Sequence, residues 1–168
     1  MKINLTALII ICFGQMSIAQ NVDYNLISYN GLSFFSAKSE IIEKLGNPNK
    51  VFEPHYECGF LSSDEQGQDY YTLEYDKIRF TGNQTEKYVL EQIDFENDNS
   101  TILNYGKYKL TCETELTELT EIFGKEITKY FDNDLSGGII IPHKEYDSGI
   151  RIELKNEKLI RFEYWSPC

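Results

Sequence analysis

The chain is short of positive charge, of histidine and of long apolar runs. Lys and Arg number 16 against 27 Asp and Glu, a net charge of −11. That balance works against binding nucleic acid or an anionic membrane surface, both of which present negative charge. A basic protein partner is easier to accommodate. The chain has 2 histidines, His55 and His143, and no Cys-x-x-Cys pair. His55 and Cys58 stand three apart but lack the further ligands that zinc needs. Cys58 with a histidine would also need an oxyanion-type glycine turn and an orienting third group to act as nucleophile and base, and the sequence offers neither. Carboxylates are so numerous that spacing singles out no acid/base dyad. No phosphate-cradling glycine loop, basic stripe or low-complexity tract is present. The expectation is therefore no catalytic residue, no metal ligand set and no cofactor.

The one apolar run lies at the start. Lys2 supplies a positive beginning, Leu5 to Phe13 a greasy stretch, and Ser17-Ile18-Ala19 a small-residue cleavage pattern, which together read as a secretory signal peptide over residues 1–19. The run falls well short of the roughly 20 apolar residues that span a bilayer. Cys12 follows Ile9-Ile10-Ile11 rather than the small residue of a lipobox. A mature protein starting at Gln20 and placed in the periplasm or secreted is expected, with no membrane span. It would hold 168 − 19 = 149 residues and a charge of 15 − 27 = −12. Its three cysteines are Cys58, Cys112 and Cys168. An oxidising compartment pairs two of them and leaves one thiol over.

The chain is rich in aromatics, with 12 Tyr, 10 Phe and the single Trp165, and these favour pleated, half-buried surfaces. It also carries an internal echo. Residues Ser36 to Gly46 (SAKSEIIEKLG) are matched 78 positions later by Thr114 to Gly124 (TELTELTEIFG). Each stretch begins with a hydroxyl residue suited to capping, carries acids in the early turns and ends on glycine, so each predicts a helix. Ala37, Ile41, Ile42 and Leu45 line one face of the first, and Leu116, Leu119, Ile122 and Phe123 one face of the second.

Strand alternation follows each helix, at Tyr71, Leu73 and Tyr75 and again at Ile150, Ile152 and Leu154. The run Ile93-Asp94-Phe95-Glu96 is answered by Ile160-Arg161-Phe162-Glu163. These patterns predict an α+β fold of two tandem helix-then-antiparallel-sheet repeats, residues 20–100 and 101–168, with the helices packed on one face of the sheet. The last hairpin can be registered. Keeping Ile152 and Leu154 on one face with Ile160 and Phe162, around a three-residue loop at Asn156-Glu157-Lys158, sets Glu153 opposite Arg161 and Arg151 opposite Glu163. Asp132-Asn133-Asp134-Leu135-Ser136-Gly137 opens like a calcium loop, but its twelfth position is His143 instead of a bidentate Glu. A polar turn before a Gly138 to Pro142 strand is the better reading. Asn83-Gln84-Thr85 and Asn99-Ser100-Thr101 have the form of glycosylation acceptors and read as polar loops.

The segment Ile27-x-Tyr29-Asn30-Gly31-Leu32, the helix from Ser36 to Pro48 and the Tyr-rich strands after it resemble the repeat unit of the β-lactamase inhibitory protein family. They are also similar to the small outer-membrane assembly lipoproteins of the SmpA/OmlA group. The resemblance implies two copies over nearly all of the mature chain, helices on one face of an antiparallel sheet, and a concave sheet surface that grips a target protein.

The function expected is that of a secreted, non-catalytic protein-binding module of the inhibitor or immunity type. The alternatives are a cell-envelope structural or assembly factor and an envelope enzyme of unknown substrate. Strand parity assigns the candidate partner-binding residues to the open sheet face: Glu74, Asp94, Glu96, Arg151, Glu153, Arg161, Glu163 and Trp165. An aromatic set among charges is common in binding hot spots.

Overall fold

A computed structural model describes residues 21–54 and 69–167. The candidate leader, His55, Cys58 and Cys168 lie outside the described residues. Among those described, strand outweighs helix, 42% against 19%, in two antiparallel sheets. The prediction of two tandem helix-then-sheet repeats with helices packed on the sheet is thereby corrected. The helices are short, and in both sheets the strands from before residue 100 join edge to edge with those from after it, so neither half closes on itself.

The order of elements shows how this happens. A 3-10 turn at Tyr24–Leu26 leads into β1 (Ile27–Tyr29) and β2 (Leu32–Ser33), then β3 (Phe35–Ser36), α1 (Lys38–Leu45) and β4 (Lys50–Phe52). Next come β5 (Tyr71–Glu74), β6 (Ile78–Gly82) and β7 (Tyr88–Asp94). The second hairpin is β8 (Leu103–Tyr105) with β9 (Tyr108–Leu110), followed by α2 (Leu116–Phe123), a 3-10 helix at Lys125–Tyr130, β10 (Gly137–Pro142), β11 (Gly149–Lys155) and β12 (Lys158–Trp165). The two hairpins join each other in a small sheet of order β2-β1-β8-β9. The two meanders join through β7 and β12 in a large sheet of order β10-β11-β12-β7-β6-β5-β4, with β3 also on β7.

Both helices form where their patterns place them, and Gly46 and Gly124 end them at φ 79° and 88°, values that glycine adopts without strain. Their starts differ from expectation. Ser36 donates its hydroxyl to the Ser33 carbonyl, and the Thr114 hydroxyl accepts from the Thr111 N–H, so each ties the preceding turn and caps no helix. The first-turn acids do that instead: Glu40 accepts from the Ala37 N–H at 2.8 Å and Glu118 from the Glu115 N–H at 3.1 Å. α1 meets chiefly β2, and α2 the 3-10 helix that follows it. Phe123 at the end of α2 reaches Tyr105 of the small sheet, with ring centres 5.1 Å apart.

The inner face of the large sheet carries the core. Register aligns Ile78, Ile93, Phe162, Ile152 and Ile139 in one row across β6, β7, β12, β11 and β10, and all are buried. Phe34, between β2 and β3, stacks on Tyr24 at 4.5 Å and meets Phe162 edge-on at 6.4 Å, linking the small sheet's loop to the large sheet. Burial pushes the Tyr24 phenol up to about 12, while its hydroxyl bonds Ser148 at 2.9 Å.

The last hairpin keeps the expected pairs, Arg151 opposite Glu163 and Glu153 opposite Arg161. Its end is different. Asn156 and Glu157 both take positive φ in a two-residue turn, and a bulge after Glu153 puts Leu159, rather than Ile160, on the buried face. A two-residue turn with both centres left-handed matches the twist of the strands, and the bulge absorbs the one-residue difference in count.

Candidate functional site

The outer face of the large sheet is built by one row of side chains that crosses seven strands. Lys50 pairs with Glu74, Glu74 with Arg79, Arg79 with Gln92, Gln92 with Glu163, Glu163 with Arg151, and Arg151 with Ile140. Period-two alternation puts all of them on the side opposite the core row. A second row, Asp94, Arg161 and Glu153, runs beside it over the centre, and Trp165 lies on its other flank opposite Gly149. Seven of the eight candidate residues thus share this face. Glu96 lies just beyond β7 and holds Lys155 at 2.7 Å.

The charges pair mostly with each other. Arg79 bonds Glu74 at 2.9 Å, and Glu153 takes Arg151 at 3.1 Å and Arg161 at 3.5 Å. Because Arg151 turns to Glu153, Glu163 is left half-buried with no hydrogen bond or ion pair among the described residues, although it stands opposite that arginine. Burial pushes the Glu163 carboxyl above its ordinary range, with Arg151 pulling against it and Glu153 adding to it. The Nε of Arg161 is also buried without a hydrogen-bond partner.

Two features of the face were missed from sequence. Arg79 and Gln92 complete the central row, and Arg79 was visible as the polar member of Ile78-Arg79-Phe80. Thr72 and Thr81 also face outward yet are buried, sharing a 2.7 Å hydroxyl contact, and Thr81 donates to Glu91 at 2.6 Å. Beside this row, Glu74, Asp76, Lys77, Arg79 and Asp94 line an open cavity of about 320 Å³ at the turn end of β5 and β6.

The remaining candidates fall elsewhere. His143 is buried between the Tyr24 and Tyr146 rings, at 4.5 and 4.6 Å, and its Nδ1 accepts the N–H groups of Glu145 and Tyr146. That arrangement closes the loop before β11. Asp132 to Gly137 forms a turn in which Asp134 accepts from the Ser136 N–H at 3.1 Å, and β10 starts at Gly137. No cluster of three His, Cys, Asp or Glu among the described residues is placed to hold a metal.

Asn83 is buried, and its carbonyl oxygen accepts from Thr85 and Glu86. The other glycosylation-like motif follows Asp98. That carboxyl is pulled down to about 2 by bonds from the Ser100 hydroxyl first, then the Thr101 hydroxyl and the Ser100 N–H. Cys112 is half-buried, its thiol 3.0 Å from the Asn99 side-chain oxygen, and burial with neighbouring Glu113 pushes its pKa up, away from the reactive thiolate. With Cys58 and Cys168 outside the described residues, so is the expected pairing. No helix among the described residues is long and apolar enough to cross a membrane.

No protein-family model, curated protein or solved structure matches this chain.

The electrostatics of Glu163 lead to a pH prediction. A carboxyl raised in the folded state ionises first in the unfolded chain. Its contribution to stability is full at low pH and is lost as pH rises through the ordinary carboxylate range toward the folded value. Glu163→Gln removes that loss. Urea titrations at pH 4 and pH 7 are expected to show equal stabilities at pH 4 and a more stable variant at pH 7. A variant weaker than the parent at pH 7 would mean that the carboxylate is held by a partner within the fold.

Proposed function

We propose that this is a secreted, non-catalytic protein-binding module of the inhibitor or immunity type, and that the outer face of the large sheet is its recognition surface. The observation that carries the reading is Glu163, a half-buried carboxylate with no hydrogen bond or ion pair among the described residues, at the centre of an open, charged face. The exposed ion pairs around it stabilise the fold by about 1 kcal/mol each at most, so fold stability alone gives a weak reason for so ordered an array. A lysine or arginine of a partner protein would complete Glu163 in surroundings already partly desolvated, where a charged pair is worth more than at the rim. Trp165 beside it supplies an aromatic anchor. Export to the periplasm or medium is part of the proposal.

The test is affinity capture from cell-envelope extract with the chain and a Glu153→Lys/Trp165→Ala variant as parallel baits. Glu153 holds both arginines, so reversing it rearranges the face without touching the core. One protein retained by the parent and lost by the variant is expected. The same proteins on both baits would remove the face from consideration.

A further inference from the structure

We propose a second binding site, independent of the sheet face: the open edge of β10, which takes an extended segment of another protein as an added strand, apolar at alternating positions and flanked by lysine or arginine. The hydrogen-bond phase of β10 can be worked out from one bond. His143 N–H donates to the Ser148 carbonyl at 2.7 Å, beyond the Pro142–Gly149 pair. In an antiparallel ladder the bonded pairs alternate, so counting back by twos makes Ile141–Ile150 and Ile139–Ile152 the bonded pairs. The backbone groups of Gly138, Ile140 and Pro142 therefore point away from β11. Pro142 confirms this phase, since its carbonyl accepts the Val22 N–H at 3.0 Å. Gly138 and Ile140 are exposed, and their outward N–H and C=O groups have no backbone partner among the described residues.

Sheet edges in native proteins are blunted by charge, proline or brevity to prevent such pairing. The far edge obeys the rule, since β4 has only 3 residues, includes Lys50 and is followed by Glu53 and Pro54. β10 does not. Its 6 residues, Gly-Gly-Ile-Ile-Ile-Pro, carry no charge, and its one proline sits at the end already covered by Val22. Alongside it lies an apolar groove of about 230 Å³ between this strand and the 3-10 helix Lys125–Tyr130, where Phe123, Ile127 and the exposed Tyr130 would receive alternate side chains of an added strand.

Charge selects the occupant. Exposed Asp132 and Asp134 precede β10, and exposed Glu145 and Asp147 follow it, with Lys144 paired to its neighbour Glu145; on the 3-10 helix that forms the other wall, Lys129 is paired to Glu126 and Lys125 stands at the start. A basic-flanked peptide meets acids at both ends. A second copy of this chain, pairing antiparallel about Ile140, would set the acids of one turn against those of the other, and it would bring a net charge of −11 to another −11.

The probe is a fluorescein-labelled peptide, Lys-Lys-Ile-Thr-Val-Thr-Ile-Lys-Lys, titrated with the purified protein by fluorescence anisotropy. Ile140→Pro deletes the outward N–H while leaving the ladder to β11, as proline at an edge position does. Ile140→Thr keeps the N–H and serves as control. Saturable binding is expected, weakened at least about tenfold by Ile140→Pro and retained by Ile140→Thr, with a Glu-flanked peptide also at least about tenfold weaker. A peptide N-methylated at alternate residues reads the same backbone bonds with the protein unchanged, so the test survives if Ile140→Pro misfolds. Absence of saturable binding, equal affinity for the methylated and parent peptides, or equal affinity of Ile140→Pro would overturn the proposal. So would a dimer in sedimentation that Ile140→Pro abolishes, since the edge would then belong to a second copy.

Discussion

Phe162→Ala is expected to destabilise the protein by about 3–5 kcal/mol, the range for emptying a fully buried aromatic site. Phe162 is fully buried at the centre of the inner row, paired with Ile152 on β11 and Ile93 on β7. The pair with Ile93 lies in the seam at which strands from before and after residue 100 become one sheet. The vacated space is walled by Phe34, edge-on at 6.4 Å, and by neighbouring strands whose spacing is set by backbone hydrogen bonds, so collapse around it is limited. Domains of this size have about 5–15 kcal/mol to lose, so the variant should unfold at much lower urea concentration. A loss below about 1.5 kcal/mol would show that the row is loosely packed and that the seam is held elsewhere.

The second large effect comes from one methyl group. Gly149 lies where β11 leaves its turn, opposite Pro142 and Trp165. A Cβ built there would stand 2.3 Å from the Ile141 carbonyl oxygen and 2.9 Å from the Pro142 Cα. Both obstructing atoms are backbone, so no side-chain rotation relieves the clash, and β10 must move off β11. Gly149→Ala is therefore expected to cost about 3 kcal/mol or more, at the upper end for overpacked sites. Gly138→Ala tests the same strand pair without the clash, since its nearest neighbour is the Glu153 Cγ at 3.4 Å. Near-parent stability is expected there. Equal losses for the two variants would mean that any side chain on this hairpin is harmful and that the short contact at Gly149 is not the cause.

The parts of this fold that were legible in the sequence are those governed by near neighbours. Helix ends at Gly46 and Gly124 follow from a local conformational preference, and the Ile150, Ile152 and Leu154 alternation follows from the pleat. The pairing of Glu153 with Arg161 followed once one hairpin was registered on its apolar face. Periodicity tells which way a side chain points but not which strand lies beside it. That β1 would pair with β8, and β7 with β12, depends on burial shared across the whole chain. The tandem-repeat architecture failed at that step, because it treated each half as closing on itself.

The site was legible in the same partial way. Parity placed Glu74, Asp94, Arg151, Glu153, Arg161, Glu163 and Trp165 on one face. It could not foresee that Arg151 would turn along its own strand to Glu153 and leave Glu163 with no ion pair among the described residues. Rotamer choice among nearby carboxylates is a matter of fractions of a kcal/mol on an exposed surface. Nor could the run Gly137 to Pro142 reveal itself as an edge, since edge position is a property of the sheet and not of the strand.

The measurement that bears most directly on the sheet face as a recognition surface is site-specific photo-crosslinking in envelope extract. A photoreactive phenylalanine analogue replaces either Trp165, on the proposed face, or Lys109, an exposed residue of β9 in the small sheet. One discrete adduct from position 165, absent from position 109 and suppressed by Glu163→Lys in the same chain, is expected. Adducts at position 109 alone, or none that Glu163→Lys suppresses, would contradict binding through this face.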